Sequence, residues 1–67
     1  MQDPFRKLVQ RLREEFEDLP GLRLTVREAA RFWALDEVTC GRVLAALTAQ
    51  GFLARGIDGR FQMYAAA

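Results

Sequence analysis

The sequence of 67 residues contains a single cysteine and no histidine, serine or asparagine. One cysteine cannot form an internal disulfide, and a zinc site needs several thiolate or imidazole ligands together, so neither is expected. Serine–histidine and cysteine–histidine catalytic pairs cannot be assembled either. Adjacent carboxylates, such as Glu14 with Glu15 or Asp36 with Glu37, point apart on a helix and share no site. We therefore expect a protein without enzymatic activity, cofactor, metal or small-molecule ligand.

Long apolar runs are also missing. No stretch approaches the roughly 18 residues that a membrane span needs, and the start MQDPFRK lacks the apolar segment of a secretory signal. The apolar fraction of 51% and the charged fraction of 28% are typical of a folded domain. A chain of this size buries only about 60% of its unfolded surface, which leaves room for one small domain over residues 1–67. The sequence thus predicts a single cytoplasmic domain with no membrane partner.

The charge balance is close to neutral. Ten basic and nine acidic residues give a formal net charge of +1, far from the strongly basic composition typical of nucleic-acid binding. Residues 1–22 have a net charge of −1 and residues 23–67 a net charge of +2. Nine of the ten cations are arginine, which favours bidentate contacts with phosphate or carboxylate, or reflects genome composition alone.

The first helix is predicted to begin at Pro4, where the missing N–H costs nothing, with Asp3 as its N-cap. Pro20 and Gly21 end it. Apolar residues at helical spacing form one stripe, namely Phe5, Leu8, Val9, Leu12, Phe16 and Leu19. Four acids in the last turns oppose the helix dipole, namely Glu14, Glu15, Glu17 and Asp18. They form a solvated face, or else a patch for a cation or a partner.

Two shorter helices follow. Thr25 and Glu28 match the capping-box pattern T-x-x-E, and Asp36 is the N-cap of the third helix, with Leu35 and Cys40 as a hydrophobic staple. The inner face of the second helix contains Val26, Ala29, Ala30 and Trp33. The buried stripe of the third helix contains Cys40, Val43, Leu44 and Leu47. We expect Cys40 to be a core residue and not a reactive thiol.

The third helix is predicted to end in a Schellman motif. Gln50 is its C-cap, Gly51 takes the left-handed conformation, and Phe52 packs on Leu47. Gly41 lies inside the same helix, where glycine costs roughly 0.5–1 kcal/mol relative to alanine. Either a close approach of another element explains this glycine, or it has no structural role.

A small β-structure completes the predicted fold. Residues 52–55 and 60–64 have the composition of strands, and the glycine-containing loop 56–59 joins them as a hairpin. Residues 22–24 are predicted as a further short strand before the second helix. The predicted fold is mainly α with a small β-hairpin, in the order helix 1, strand, helix 2, helix 3, strand, strand.

Residues 24–64 resemble the winged helix-turn-helix families of bacterial transcription regulators. The resemblance lies in LTVREAA as the supporting helix, LDEVTCGRVLAAL as the turn with the recognition helix, and GFLARGIDGRFQMY as the wing. Nearly the whole chain is also similar to a group of very small bacterial winged-helix proteins of unassigned role, which share a PGL-x-LT start, a cysteine in helix three and a GFL end. The first resemblance implies a DNA-binding fold, although one fold serves many functions.

In such regulators the third helix enters the major groove and the wing contacts phosphate or the minor groove. Carried over position by position, the base-reading residues are Glu37, Val38, Thr39, Gly41, Arg42 and Ala45. Helical geometry turns Val38, Arg42, Ala45 and Ala49 furthest from the buried stripe, with Gly41 and Ala46 beside them. Of these only Arg42 is charged, and since phosphate neutralisation supplies much of DNA affinity, we expect the monomer to bind DNA weakly.

Four further arginines could extend this surface if they lie on the same side. Arg27 and Arg31 are on helix two, and Arg55 and Arg60 are on the wing; alternatively each is an ordinary solvent-exposed arginine. Phe32 is expected to be buried against helix one, because a small domain needs its large apolar residues, whereas an exposed ring would indicate a contact patch. Trp33 is expected in the core.

Two functions remain open. The leading hypothesis is a DNA-binding transcription regulator or architectural factor that acts as a homodimer, because one small module buries too little surface for tight binding. The alternative is a protein-interaction module, in which the small apolar outer face of helix three packs against a helix of a second copy or of another protein.

Overall fold

The structure, a computed structural model, describes residues 3–64. Its elements in chain order are α1 (Pro4–Asp18), α2 (Val26–Phe32), α3 (Glu37–Ala49), β1 (Leu53–Arg55) and β2 (Phe61–Met63). This part of the chain is mainly helical with a small antiparallel sheet, which confirms the predicted class. None of these helices is long and apolar enough to cross a membrane.

Helix α1 begins where the sequence predicted. The carboxylate of Asp3 accepts a hydrogen bond of 3.0 Å from the backbone N–H of Phe5, and Pro4 occupies the first helical position. The predicted stripe is buried only in its middle, at Val9, Leu12 and Phe16. Phe5 and Leu19 at the two ends are 38% and 44% exposed. Since α1 contacts α3 and β2, these elements cover its central turns and leave the ends of the stripe uncovered.

The capping box of α2 and the N-cap of α3 are confirmed. The Thr25 hydroxyl accepts from the backbone N–H of Glu28 at 3.1 Å, and the Glu28 carboxylate accepts from the backbone N–H of Thr25 at 2.9 Å. The Asp36 carboxylate accepts from the backbone N–H of Thr39 at 2.8 Å. These bonds satisfy helix-end N–H groups that have no partner within the helix. They therefore determine where α2 and α3 begin.

The turn between α2 and α3 is a Schellman motif that the sequence did not reveal. Ala34 adopts a left-handed conformation with φ of 55°, and the backbone N–H of Leu35 donates to the carbonyl of Ala30 at 2.8 Å. Alanine carries a Cβ that this conformation disfavours. A glycine is the usual signal for such a turn, and none is present here.

The Schellman motif predicted at the end of α3 is confirmed. Gly51 has φ of 78°, the N–H of Phe52 donates to the carbonyl of Leu47 at 3.0 Å, and the N–H of Gly51 donates to that of Thr48 at 3.0 Å. Phe52 directly precedes β1, so the conformation at the end of α3 also sets the direction in which the hairpin begins.

Replacement of Ala34 by glycine is expected to raise the free energy of unfolding by about 1 kcal/mol, because it removes the Cβ from a left-handed residue. Ala34 is exposed, so little packing is lost. Equilibrium urea unfolding measures the change. The matched control is Gly51→Ala, which introduces the same strain after α3 and should lower stability by a similar amount. A lower stability of the Ala34→Gly variant would contradict this description of the turn.

The hairpin pairs β1 with β2 in antiparallel register, with Leu53 opposite Met63 and Arg55 opposite Phe61. Both strands are shorter than predicted. The predicted strand at residues 22–24 is wrong as a strand, because only Leu24 pairs, through one antiparallel bridge to Phe61. The N–H of Leu22 is used by the turn after α1, and α2 begins at Val26. The backbone on both sides of Leu24 is therefore unavailable for a longer ladder.

The core lies between the helices and the hairpin. Its buried residues are Val9, Leu12, Phe16, Ala29, Ala30, Trp33, Cys40, Val43, Leu44, Leu47, Leu53 and Phe61. Trp33 is confirmed as a core residue. Its ring centroid lies 5.5 Å from that of Phe16, and its indole N–H donates to Glu15 at 3.1 Å. One of the four acids of α1 thus satisfies a core indole, while Glu14, Glu17 and Asp18 are exposed.

Cys40 is fully buried, as predicted. Burial raises the pKa of its thiol, and the carboxylates of Asp36 and Glu37 raise it further. Because the thiolate is the reactive form, a raised pKa keeps this thiol protonated and inert at neutral pH. Cys40 therefore contributes packing to the core.

Candidate functional site: the outer face of α3 and the hairpin

The outer face of α3 is directed to solvent as its spacing predicted. Val38 is 73% exposed, Arg42, Ala45 and Ala49 are exposed, and Thr39, Gly41 and Ala46 are half-buried. The buried stripe on the other side of α3 packs into the core, where α1 and α2 both contact the helix. The exposed face is thus rigidly presented, and Arg42 is the one charged side chain at its centre.

Gly41 does not mark a close approach of another element. A methyl group added at Gly41 would meet its nearest atom, Val26 Cγ1, at 3.7 Å, which is ordinary van der Waals contact. The structure therefore gives no steric reason for glycine at this position.

The arginines of α2 border a shallow open groove at the helix-turn-helix junction. Arg27, Ala30, Arg31, Leu35, Asp36 and Glu37 line it. Arg27 lies 3.9 Å from the carboxylate of Glu37, and both side chains are largely exposed, so this ion pair contributes little. Within residues 3–64 Arg31 forms no salt bridge and is exposed. The negative charges of Asp36 and Glu37 at the start of α3 therefore partly neutralise the positive charges of Arg27 and Arg31 around the same groove.

The arginines of the hairpin differ in their availability. Arg60 makes a forked contact with Glu28, in which Nε and Nη2 each lie 3.3 Å from a carboxylate oxygen. A third contact of 3.7 Å joins Arg60 to Asp58. Arg55 instead places its guanidinium 5.8 Å from the centroid of the Phe61 ring, and the side chain remains exposed. Of the two, Arg55 is free to contact a ligand, whereas Arg60 is held by carboxylates.

Four side chains of alternating charge connect the hairpin to the start of α2. They are Arg23, Asp58, Arg60 and Glu28, and the first pair lies 3.2 Å apart. The backbone N–H of Thr25 and then Arg60 lower the pKa of Glu28. The backbone N–H of Arg60 lowers the pKa of Asp58, and Arg23 lowers it further. These contacts hold the hairpin beside α2. No local pattern predicts them, because the partners are 32 and 35 residues apart along the chain.

Phe32 is exposed, so the expectation that it is buried against helix one was wrong. The residue is 53% exposed, and its ring meets that of Trp33 edge-on at a centroid distance of 5.2 Å. Adjacent helix positions lie about 100° apart, so a helix that buries Trp33 against Phe16 turns Phe32 to its edge. The sequence analysis predicted a contact patch for an exposed ring at this position, and that role of Phe32 stays a prediction.

The site combines exposed cations with a small apolar surface. Arg31, Arg42 and Arg55 supply available positive charge, as does Arg27, whose ion pair with Glu37 is weak. Asp36 and Glu37 place two negative charges at the start of α3. The residues described include no cluster of three or more potential metal ligands. Comparison of the chain with protein-family models, with curated proteins and with solved structures gave no match.

Proposed function

We propose that the protein is a winged helix-turn-helix DNA-binding protein, a transcription regulator or an architectural factor, whose helix α3 enters the major groove. The observation that carries the proposal is the exposed outer face of α3 with Arg42 at its centre. Helix α3 follows the capped helix α2 and a tight turn, and it precedes an antiparallel hairpin. This order of elements is the one in which a helix-turn-helix module presents its second helix to a groove.

In this proposal each part of the surface has its own role. Arg42 can bind guanine O6 and N7 with both ends of its guanidinium, while Val38 and Ala45 lie about one turn to either side and can contact thymine methyl groups. Arg31 and Arg55 can reach phosphates on the two flanks. Arg60 contributes by holding the hairpin beside Glu28 and not by a direct phosphate contact.

The charges predict weak binding by one copy. DNA affinity depends mainly on the number of phosphates that are neutralised, and the site offers few free cations. The carboxylates of Asp36 and Glu37 also repel the backbone near the start of α3. Tight binding therefore requires a second copy, which doubles the buried surface.

Arg42 provides the direct test. We expect the protein to retain a short duplex at about 20 mM salt and to lose it at about 200 mM, because the affinity derives from phosphate contacts. Arg42→Ala should weaken retention by about 5- to 150-fold, because a good bidentate base contact contributes about 1–3 kcal/mol. Fluorescence anisotropy of a labelled duplex measures both effects.

The matched control for Arg42→Ala is Arg6→Ala, which removes the same exposed charge from α1. It should leave retention within about twofold of the unaltered chain, since it lies outside the proposed surface. An absence of duplex retention at low salt, or equal losses in the two variants, would refute the proposed role of α3.

A second candidate function is the docking of a partner helix on the same face. The observation that favours it is the apolar character of the surface, on which Val38 is 73% exposed and Gly41 and Ala45 allow close approach of another helix. Loss of self-association or of partner binding in Ala45→Glu, in a chain that retains no DNA at low salt, would select this candidate.

A further inference from the structure

Helix α1 separates its charges completely. Residues 4–13 contain four cations and no acid, and residues 14–18 contain four acids and no cation. The cations are thus near the positive end of the helix dipole and the acids near its negative end, which is the unfavourable order for a single helix. Two of these side chains contact the core or its edge: Glu15 accepts from the Trp33 indole, and Arg13 lies over the Phe52 ring. The other six are exposed, and the packing of the core does not require their order.

Four of the charged residues share one stripe on the solvent side of α1. Lys7, Arg11, Glu14 and Asp18 fall within about 60° of arc at 3.6 residues per turn, and all four are exposed. Within the described part of the chain none of them forms a salt bridge. We call this set the charged stripe.

The charged stripe is also unfavourable within its own helix. Lys7 and Arg11 are four residues apart, as are Glu14 and Asp18, and like charges at this spacing repel each other. Arg11 and Glu14, three residues apart, form one attractive pair in the same stripe. The single chain therefore carries an unfavourable dipole interaction and two repulsive pairs against this one attractive pair. A partner with the opposite order of charges would relieve both.

We propose that the charged stripe docks on the same stripe of a second copy, with the two α1 helices antiparallel. Lys7 then faces Asp18 of the other copy, and Arg11 faces its Glu14. The symmetry axis passes between positions 12 and 13, so each pairing occurs twice and four ion pairs form. The separation from Lys7 to Asp18 is about 16 Å along either helix, so all four pairs match in one register.

Other arrangements and occupants fit the charges less well. Two parallel copies would bring Lys7 against Lys7 and Asp18 against Asp18. A DNA backbone would attract the first half of the charged stripe and be repelled by the second half, over a helix of 15 residues. A second antiparallel copy satisfies both halves at once.

The dimer is expected to be weak and sensitive to salt. Exposed ion pairs contribute little individually and are screened by added ions, and the charged stripe includes no apolar anchor. Both copies keep the outer face of α3 free, because α1 packs on the buried side of α3. The dimer therefore extends the proposed function, but its test needs no DNA.

A pair of complementary charge reversals tests the register. Lys7→Glu and Asp18→Lys are each expected to weaken self-association about tenfold, because two attractive pairs become repulsive. In an equimolar mixture of the two variants, every facing pair is again of opposite sign. The mixture should therefore associate as the unaltered chain does, and sedimentation velocity at low salt, up to about 1 mM protein, measures this.

Arg6→Glu is the matched control, since it makes the same charge change about 100° away from Lys7. It should weaken self-association much less than Lys7→Glu. Circular dichroism checks that each variant is folded, which is expected for exposed positions. A strict monomer at about 1 mM, or a mixture that associates no better than either variant alone, would overturn the proposal. The weak DNA binding proposed for one copy needs no dimer, and its Arg42→Ala test would be unaffected.

Discussion

Replacement of Phe16 by alanine is expected to leave a large fraction of the protein unfolded at 37 °C. Phe16 is fully buried and packs at a centroid distance of 5.5 Å on Trp33. Truncation of a buried phenylalanine costs about 3–5 kcal/mol. A domain of 67 residues has a total stability of only about 3–10 kcal/mol, so the substitution removes much of it. Urea unfolding, followed by the fluorescence of Trp33, measures the loss.

Phe5→Ala is the matched control for Phe16→Ala, because it makes the same truncation on the same helix at a position that is 38% exposed. We expect it to cost less than about 1 kcal/mol, the usual range for a residue at the edge of the packing. Similar losses for the two substitutions would contradict the assignment of the α1 core stripe.

Introduction of a carboxylate at Ala45 is expected to abolish duplex retention while the chain stays folded. Ala45 is exposed on the outer face of α3, next to Arg42 on the following turn. In the proposed complex the carboxylate introduced by Ala45→Glu lies against the DNA, and it competes with the DNA for the guanidinium of Arg42. Since juxtaposed like charges cost several kcal/mol, we expect at least about a hundredfold weaker retention at low salt, measured by fluorescence anisotropy.

Gln10→Glu provides the control, because it adds the same charge at an exposed position of α1. It also replaces the hydrogen bond from Gln10 to Glu14 with a like-charge pair, so circular dichroism and sedimentation velocity check that its fold and self-association are kept. Its duplex retention should stay within about threefold of the unaltered chain, since the substitution weakens DNA binding only through the small change in the net charge of the protein. Retention by Ala45→Glu equal to that of Gln10→Glu would show that α3 does not contact the duplex. Self-association through the charged stripe of α1 should persist in Ala45→Glu, which separates this test from the dimer proposal.

The helix boundaries were predictable because their signals are local. Asp3, Thr25 and Asp36 each cap a helix through a backbone N–H two or three residues away. Gly51 ends α3 through bonds that span at most five residues. Such bonds depend on the type of a few neighbouring residues and need no knowledge of the remaining chain.

Three features could not be read from local signals. Ala34 takes the left-handed conformation without being glycine, because the packing of α2 on α3 overrides the preference of one residue. Residues 22–24 have the composition of a strand, but the neighbouring turn and helix leave Leu24 alone to pair. Phe32 is exposed because Trp33 occupies the buried direction of α2.

The candidate surface also has a part that local signals predicted and a part that they did not. Helical periodicity placed Val38, Arg42 and Ala45 on the outer face of α3, since the buried stripe and the exposed face of a helix are related by simple geometry. The availability of the arginines was not predictable. Arg60 is held by Glu28 and Arg55 is not, which depends on how the hairpin folds back onto α2.

The amino-acid order alone thus determined where the helices start, where α1 and α3 stop, which helix faces are apolar, and that Cys40 lies inside. These properties follow from interactions over a few residues. Tertiary structure alone decided which cations remain available, that Glu15 binds the indole of Trp33, and that one bridge replaces the predicted first strand. Each of these depends on residues that meet only after the chain has folded, since their separation along the sequence is many times the reach of a local hydrogen bond.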